Sequence, residues 1–125
     1  MRGSRKAFTF NNDTSLHLEI DGNEYCAKVD RPEFIDFWRN NAKTLDRLKD
    51  PSNANTAREI VRFTVDMCTA LLGVDASRQL FDGKEIGLTD CAAFIGYVMG
   101  ELDNQGLREK LNNAAAKYGA GSIYR

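Results

Sequence analysis

Hydrophobic and polar residues alternate along three segments near the start of the chain. These segments are residues 6–10 (KAFTF), 16–20 (LHLEI) and 24–29 (EYCAKV). A period of two is typical of β-strands with one buried face. Between the second and third segments, Gly22 can adopt the positive φ angle that a tight hairpin turn requires. The pattern therefore predicts a three-stranded antiparallel β meander over residues 6–29, which needs another layer packed on its apolar face.

The hydrophobic spacing becomes helical after the third segment. Asp30 is a candidate N-cap, because Pro32 in the following turn has a φ angle suited to the start of a helix. Apolar residues then recur at helical intervals as far as about Lys49. A second helix is predicted over about residues 55–72, and its broad apolar stripe indicates that it lies at the centre of the fold.

A corner between helices is expected where the second helix ends. Gly73 fits the C-terminal cap of that helix, since glycine tolerates the backbone conformation common there. A short helix whose apolar residues return to the core follows. Thr89 or Asp90 would then cap a further helix, which continues or bends near residues 104–106. The predicted fold class is therefore α+β, with the N-terminal meander followed by a mostly helical region of three to five helices.

The length of 125 residues suits one domain. Hydrophobic residues make up 42% of the chain, which is ordinary for a globular domain that buries a core. We expect a single α+β domain over residues 6–118. Residues 1–5 are interpreted as a tag or disordered leader, and residues 119–125 as a mobile tail with few apolar anchors.

The charge balance limits the classes of partner. A net charge of −1 argues against binding to nucleic acid, because phosphate contacts require clustered Lys and Arg. The same balance provides no polybasic surface for a membrane. The longest apolar runs fall far short of the roughly 20 residues that cross a bilayer, and no apolar signal segment follows the N-terminus. We therefore expect neither a nucleic-acid partner nor a membrane partner.

The three cysteines, Cys26, Cys68 and Cys91, are widely separated and form no CxxC pair. The single histidine, His17, cannot complete a zinc site with them. They are interpreted as small buried side chains in a reducing compartment. No metal site and no cofactor are predicted.

The sequence does not indicate catalytic chemistry. A Ser or Cys nucleophile needs a neighbouring base, and His17 lies on the solvent face of a predicted strand without an evident partner. Acidic residues lie on polar helix faces, where a solvated surface is their usual role. The glycines do not form a phosphate-binding loop. We therefore predict that the protein is not an enzyme, and we assign no catalytic residues.

Three aromatic residues, Phe34, Phe37 and Trp38, lie close to one face of the first predicted helix. One interpretation is that they cover the apolar face of the meander. The other is that they form a partner-binding surface, since aromatic residues are enriched among interface anchors. The sequence leaves both open, and these residues are the candidate partner-binding site.

The segment DMCTALLGVDASRQLFDGKEIGLTDCAAFIGYV, residues 66–98, resembles a family of proteins whose common domain is catalogued as one of unknown function. It is similar to the tail assembly chaperones of long-tailed phages and prophages of Gram-positive hosts, and the resemblance covers roughly residues 6–112. The chain has Leu72 where the family often has an aromatic residue, and Asp82 where glycine is frequent. The matching positions are Asp66, Leu72, Gly73, Ser77, Leu80, Phe81 and Phe94.

The resemblance implies a role without catalysis. Such chaperones bind the tape measure protein in the host bacterial cytoplasm, keep its apolar surface from aggregating, and leave as tail tube subunits arrive. The implied partners are the tape measure protein and further copies of the chain in head-to-tail contacts, with the major tail tube protein as an additional candidate. The motif residues Gly73, Leu80, Phe81 and Phe94 would then have structural roles.

Two other functions stay open at the level of the sequence. One is a structural component of the virion, such as a tail-completion or connector protein, which would remain in purified particles. The other is a small ligand-binding domain with a pocket between the sheet and the helices, which requires an apolar concavity with convergent polar groups.

Overall fold

The computed structural model describes residues 6–10 and 13–118. The leader and the tail that the sequence predicts, residues 1–5 and 119–125, lie outside the described residues. The described part is α+β, as predicted, with a β hairpin followed by five α helices. None of these helices is long and apolar enough to cross a membrane. In chain order the elements are β1 (Ser15–Ile20), β2 (Asn23–Lys28), α1 (Pro32–Leu48), a 3₁₀ turn (Pro51–Asn53), α2 (Ala57–Leu72), α3 (Val74–Phe81), α4 (Leu88–Asn104) and α5 (Arg108–Tyr118).

β1 and β2 form an antiparallel hairpin around the two-residue loop of Asp21 and Gly22. Both loop residues have positive φ angles, 53° and 83°, which is the geometry of a type I′ turn. The resulting register places Leu16 opposite Ala27, and both side chains are buried. The hairpin predicted around Gly22 is confirmed.

The sheet has two strands within the described residues rather than the predicted three. Residues 6–10, predicted as the first strand, adopt no regular secondary structure. Phe8 and Phe10 are 78% and 82% exposed, and their rings pack edge to face on each other with centroids 4.7 Å apart. The three-stranded meander is therefore not confirmed.

The outer edge of β1, where a preceding strand would pair, is occupied by side chains of α4 and of the turn that follows it. The Glu19 N–H donates to the Tyr97 hydroxyl at 2.9 Å. The Gln105 side chain accepts the His17 N–H at 2.9 Å and donates to the His17 carbonyl at 2.8 Å. These bonds satisfy the backbone groups that a third strand would use, so residues 6–10 could pair there only by displacing them.

Gly73 ends α2, as predicted. Its φ of 95° and ψ of 164° turn the chain so that α3 begins at the next residue and packs back on α2. Such angles are essentially restricted to glycine. Near residues 104–106 the sequence left open whether the helix continues or bends, and the structure has a bend, with Gly106 at a φ of 69° between α4 and α5.

Two of the predicted N-caps are wrong. Arg31 precedes α1 as the N-cap, and the Asp30 carboxylate instead accepts the Thr14 hydroxyl at 3.1 Å. α4 begins at Leu88, before either candidate cap, and the Asp90 carboxylate accepts the Gly87 N–H at 3.1 Å from inside the first turn. In both cases the acidic side chain satisfies a polar group near the helix start without being the capping residue.

The core lies between the hairpin and the helices. α2 contacts α1, α3, α4 and β2, but α1 and α4 make contacts with as many elements, so no single helix is the centre of the fold. α5 packs on α1 at the other side. The largest fully buried side chains come from β1, from the loop between α4 and α5, and from every helix but α3: Leu16, Phe34, Leu45, Leu48, Ile60, Met67, Leu71, Ile95, Met99, Leu102, Leu107 and Leu111.

Candidate functional site

Two of the three candidate partner-binding aromatics are core residues. Phe34 is 0% exposed and Trp38 is 2% exposed. The Trp38 indole N–H donates to Asn112 Oδ1 at 2.7 Å, and the Arg108 guanidinium lies 5.5 Å from the centre of the indole ring. These contacts attach α5 to α1. Within one chain, Phe34 and Trp38 therefore pack in the core and cannot contact a partner. This matches the other interpretation that the sequence left open, in which these aromatic residues cover an apolar face.

Phe37 is the one candidate that reaches the surface. It is half-buried and lines a groove of about 660 Å³ between α1 and α2, here called the α1–α2 groove. The apolar lining consists of Phe37, Phe63, Ala70 and Val74. An aromatic side chain in a shallow groove can provide apolar contact area to a partner, because it is only partly buried in the core.

The charged lining of the α1–α2 groove contains two positive and two negative side chains. Arg31 lies 3.6 Å from Glu33, and Arg62 lies 3.8 Å from Asp66. Arg31 is about one third exposed and the other three side chains are exposed, so each ion pair contributes little to stability and can open at low cost. Arg31 also donates to the Leu71 carbonyl at 2.9 Å, and this bond joins the start of α1 to the end of α2 beside the groove. Once these ion pairs open, their positive and negative side chains can form new ion pairs with charged groups of either sign on a partner.

A second groove, of about 470 Å³, lies between α2 and α3 and is here called the α2–α3 groove. It is lined by Val65, Thr69 and Phe81, among others. Val74 lines both grooves and is 57% exposed, so the two grooves form one continuous surface around α2. We call the union of the two linings the α2 surface. Val61, also exposed, precedes Val65 by one helical turn and extends this surface.

Three of the four motif residues meet at another concavity. Leu80, Phe81 and Phe94 line a cavity of about 440 Å³ between the hairpin loop, α3 and α4. At this cavity, Lys84 Nζ donates to the Leu80 carbonyl at 2.6 Å and lies 3.2 Å from the Asp21 carboxylate. The fourth motif residue acts elsewhere, at the corner between α2 and α3. The motif therefore marks the packing of α3 against its neighbours.

The thiols differ in exposure. Burial raises the pKa of Cys68 to about 12, and burial also raises the pKa of Cys91. Both thiols therefore remain protonated at neutral pH, which makes them poor nucleophiles. Cys26 is exposed on β2, against the expectation that all three cysteines are buried. The register brings Cys26 opposite His17, a neighbour that sequence reasoning missed.

The described residues contain no group of three or more His, Cys, Asp or Glu side chains that could hold a metal ion. Comparison of the chain with protein-family models, with curated proteins and with solved structures gives no match. Of the sequence-predicted partner-binding residues, the α2 surface includes only Phe37. Sequence reasoning missed Val65 and Val74, because apolar residues at helical spacing are indistinguishable from core residues until the helices are placed.

Proposed function

We propose that this protein is a phage tail assembly chaperone that binds the tape measure protein and keeps it soluble before the tail tube polymerises. The observation that supports it most is the α2 surface, which exposes valine and aromatic side chains in two adjoining grooves. The resemblance of residues 66–98 to this family supports the same function independently. The chaperone acts in the host bacterial cytoplasm and performs no catalysis.

The α2 surface has the chemistry that an amphipathic helix requires. A tape measure protein is long and mostly helical, and its apolar stripes are exposed before the tube surrounds them. Such a helix binds by laying its apolar face into a groove, with anchors spaced three or four residues apart. Phe37 and Phe63 provide apolar contacts in one groove, and Val65 and Phe81 provide them in the other. The exposed ion pairs beside Phe37 accept polar flanks of either sign.

Binding of this kind is reversible. Two shallow grooves bury less area than an obligate interface, so the arriving subunits of the major tail tube protein can replace the chaperone on the tape measure helix. A chaperone of this type is absent from purified particles, whereas a tail-completion or connector protein remains in them. Analysis of purified particles therefore distinguishes the two roles.

Co-expression with the tape measure protein tests the proposal. The wild-type chain should raise the soluble fraction of the tape measure protein, and Val74→Glu should abolish this effect. Leu88→Glu is the matched control, because Leu88 is also an exposed apolar residue at the first position of a helix but lines neither groove. Equal solubility of the tape measure protein with and without the wild-type chain would contradict the proposal.

The cavity lined by Leu80, Phe81 and Phe94 supports a second candidate, a small ligand-binding domain. Its volume of about 440 Å³ lies within the range of small-molecule sites, and Asp21 and Lys84 provide polar groups at one side. This function requires that a small apolar ligand shift the amide NMR signals around Phe94. Shifts confined to the α2 surface on addition of tape measure peptides would instead favour the chaperone.

A further inference from the structure

The wall of the cavity between the hairpin loop, α3 and α4 is largely apolar. Its volume of about 440 Å³ suits a small molecule. Five aliphatic and aromatic side chains from the hairpin, α3, the following loop and α4 line it: Ile20, Leu80, Phe81, Ile86 and Phe94. All of these but Leu80 are only half-buried in one chain, so apolar surface remains that a ligand can cover.

The base of the cavity has no polar side chain that needs a partner. Thr64 and Cys91 lie there, and each is 1% exposed. The Thr64 hydroxyl already donates to the Ile60 carbonyl at 2.8 Å. Among the described residues, no buried side-chain nitrogen or oxygen lacks a hydrogen-bond partner. A ligand therefore gains apolar contact at the base, and its polar group belongs at the mouth of the cavity.

Lys84 lies at the mouth and has its contacts within the chain. Its ammonium donates to the Leu80 carbonyl at 2.6 Å and lies 3.2 Å from the Asp21 carboxylate. The first contact joins the loop after α3 to the end of that helix, and the second joins the same loop to the hairpin. The charges of Lys84 and Asp21 balance each other before any ligand arrives.

Two further carboxylates at the mouth have no opposite charge beside them. Glu85 and Asp90 line the same cavity and are exposed. No ion pair among the described residues includes either of them. One oxygen of Asp90 accepts the Gly87 N–H at 3.1 Å, which leaves its charge uncompensated. The cavity therefore combines an apolar wall with a negative mouth.

We propose that this cavity binds a small organic ammonium ion, with the apolar body of the ligand inside and its ammonium group at Glu85 and Asp90. The cavity sets the size of the ligand, and the two carboxylates set its charge. The body packs on Phe81 and Phe94, whose ring faces also attract a cation. This inference rests on the ligand-binding candidate for the same cavity and is independent of the chaperone function.

Three probes with similar aromatic bodies but different charges test the proposal on the full chain. At neutral pH phenethylamine is a cation, phenethyl alcohol is neutral and phenylacetate is an anion. In a titration followed by amide NMR, phenethylamine should shift the signals of Phe81 and Phe94 until they saturate. It should bind about tenfold more tightly than phenethyl alcohol, because each carboxylate contributes as an exposed ion pair. Phenylacetate should bind most weakly, and added salt should reduce the preference for the cation.

Substitutions that remove one charge at a time test the two carboxylates. Glu85→Gln and Asp90→Asn change the shape little, and the amide oxygen introduced by Asp90→Asn can still accept the Gly87 N–H. Each should weaken phenethylamine binding roughly two- to fivefold and leave phenethyl alcohol binding unchanged. The double variant should bind both probes equally. Glu109→Gln, an exposed carboxylate of α5 outside the cavity lining, is the matched control and should have no effect. Circular dichroism verifies that every variant is folded.

Four results would overturn the proposal. Equal or tighter binding of phenethyl alcohol or phenylacetate would leave the ligand-binding candidate in place with another class of ligand. A preference for phenethylamine that persists in the double variant would remove the two carboxylates from the site. Shifts confined to His17 and Glu101 would assign the binding to the groove between the hairpin and α4. The absence of shifts with all three probes would contradict the ligand-binding candidate as well.

Discussion

The hydroxyl of Tyr97 accepts the backbone N–H of Glu19 at 2.9 Å, so a side chain of α4 takes the place of a neighbouring strand. Gln105 does the same two residues earlier on β1, where it bonds both backbone groups of His17. The two side chains satisfy polar groups that an edge strand would otherwise present to solvent or to another chain. They also attach the hairpin to the helices at a site outside the apolar core.

Tyr97→Phe should lower the free energy of unfolding by about 1 kcal/mol, because it removes one acceptor from the β1 edge without changing the ring. Gln105→Ala should have a similar or larger effect, since it removes two bonds to His17 and one to the Glu101 carboxylate. Amide hydrogen exchange should accelerate at Glu19 in the first variant and at His17 in the second. Tyr118→Phe is the control, because Tyr118 is exposed and its hydroxyl makes no bond among the described residues. Unchanged exchange at Glu19 in Tyr97→Phe would contradict the role of this bond.

Substitutions of the aromatic residues of α1 should lower stability by amounts that depend on how deeply each residue is buried. Phe34→Ala leaves a cavity in the core and should cost about 3–5 kcal/mol of unfolding free energy, measured by urea denaturation. Phe37→Ala should cost clearly less, because part of that ring already contacts solvent in the α1–α2 groove. The same Phe37→Ala variant should bind the tape measure protein less well. Equal destabilisation by the two variants would place Phe37 in the core.

The Arg47–Glu59 pair should make stability depend on pH. The two side chains lie 2.7 Å apart, and the bond from Arg47 is the main cause that lowers the pKa of Glu59 below its usual 4.5. A carboxyl group whose pKa is lowered by folding stabilises the native state above its usual pKa, and this contribution is lost as the pH falls through the folded-state value. Glu59→Gln should therefore lower stability at pH 7 but have little effect well below pH 4.5.

The matched control for this pH dependence is Glu85→Gln, an exposed carboxylate in the loop before α4. Urea denaturation at both pH values should give no difference between Glu85→Gln and the wild type. A stability loss in Glu59→Gln that is the same at neutral and acidic pH would show that packing, rather than the ionised pair, is responsible.

Local patterns predict the features that local physics determines. The Gly22 hairpin and the end of α2 at Gly73 depend on a few neighbouring residues, and both are present. Residues 6–10 have an equally regular pattern, but no strand forms, because pairing depends on whether an edge is open. That condition is set by α4, about 90 residues away in sequence.

The sequence could not predict which side chains contact each other across different elements of the fold. Helical spacing places Arg62 one turn from Glu59 along α2, but Glu59 accepts a hydrogen bond from Arg47 of α1 instead. The composition of the candidate site also depends on how the helices pack. Phe37 and Val74 lie on different helices, and only the packing of α1, α2 and α3 shows that both line one groove. Helical spacing indicates which residues share a face, but it does not indicate which faces remain uncovered.

Two glycines should respond in opposite directions to alanine. Gly73 has a φ of 95° and a ψ of 164°, and an added Cβ would meet nothing within 4 Å, so the cost of Gly73→Ala is one of backbone conformation alone. We expect a loss of about 1–3 kcal/mol of unfolding free energy. Gly100 is inside α4 and also has open space, so Gly100→Ala should gain about 0.5–1 kcal/mol from helix propensity. Thermal denaturation of both variants checks the signs, and a stable Gly73→Ala would show that the corner between α2 and α3 can adopt another conformation.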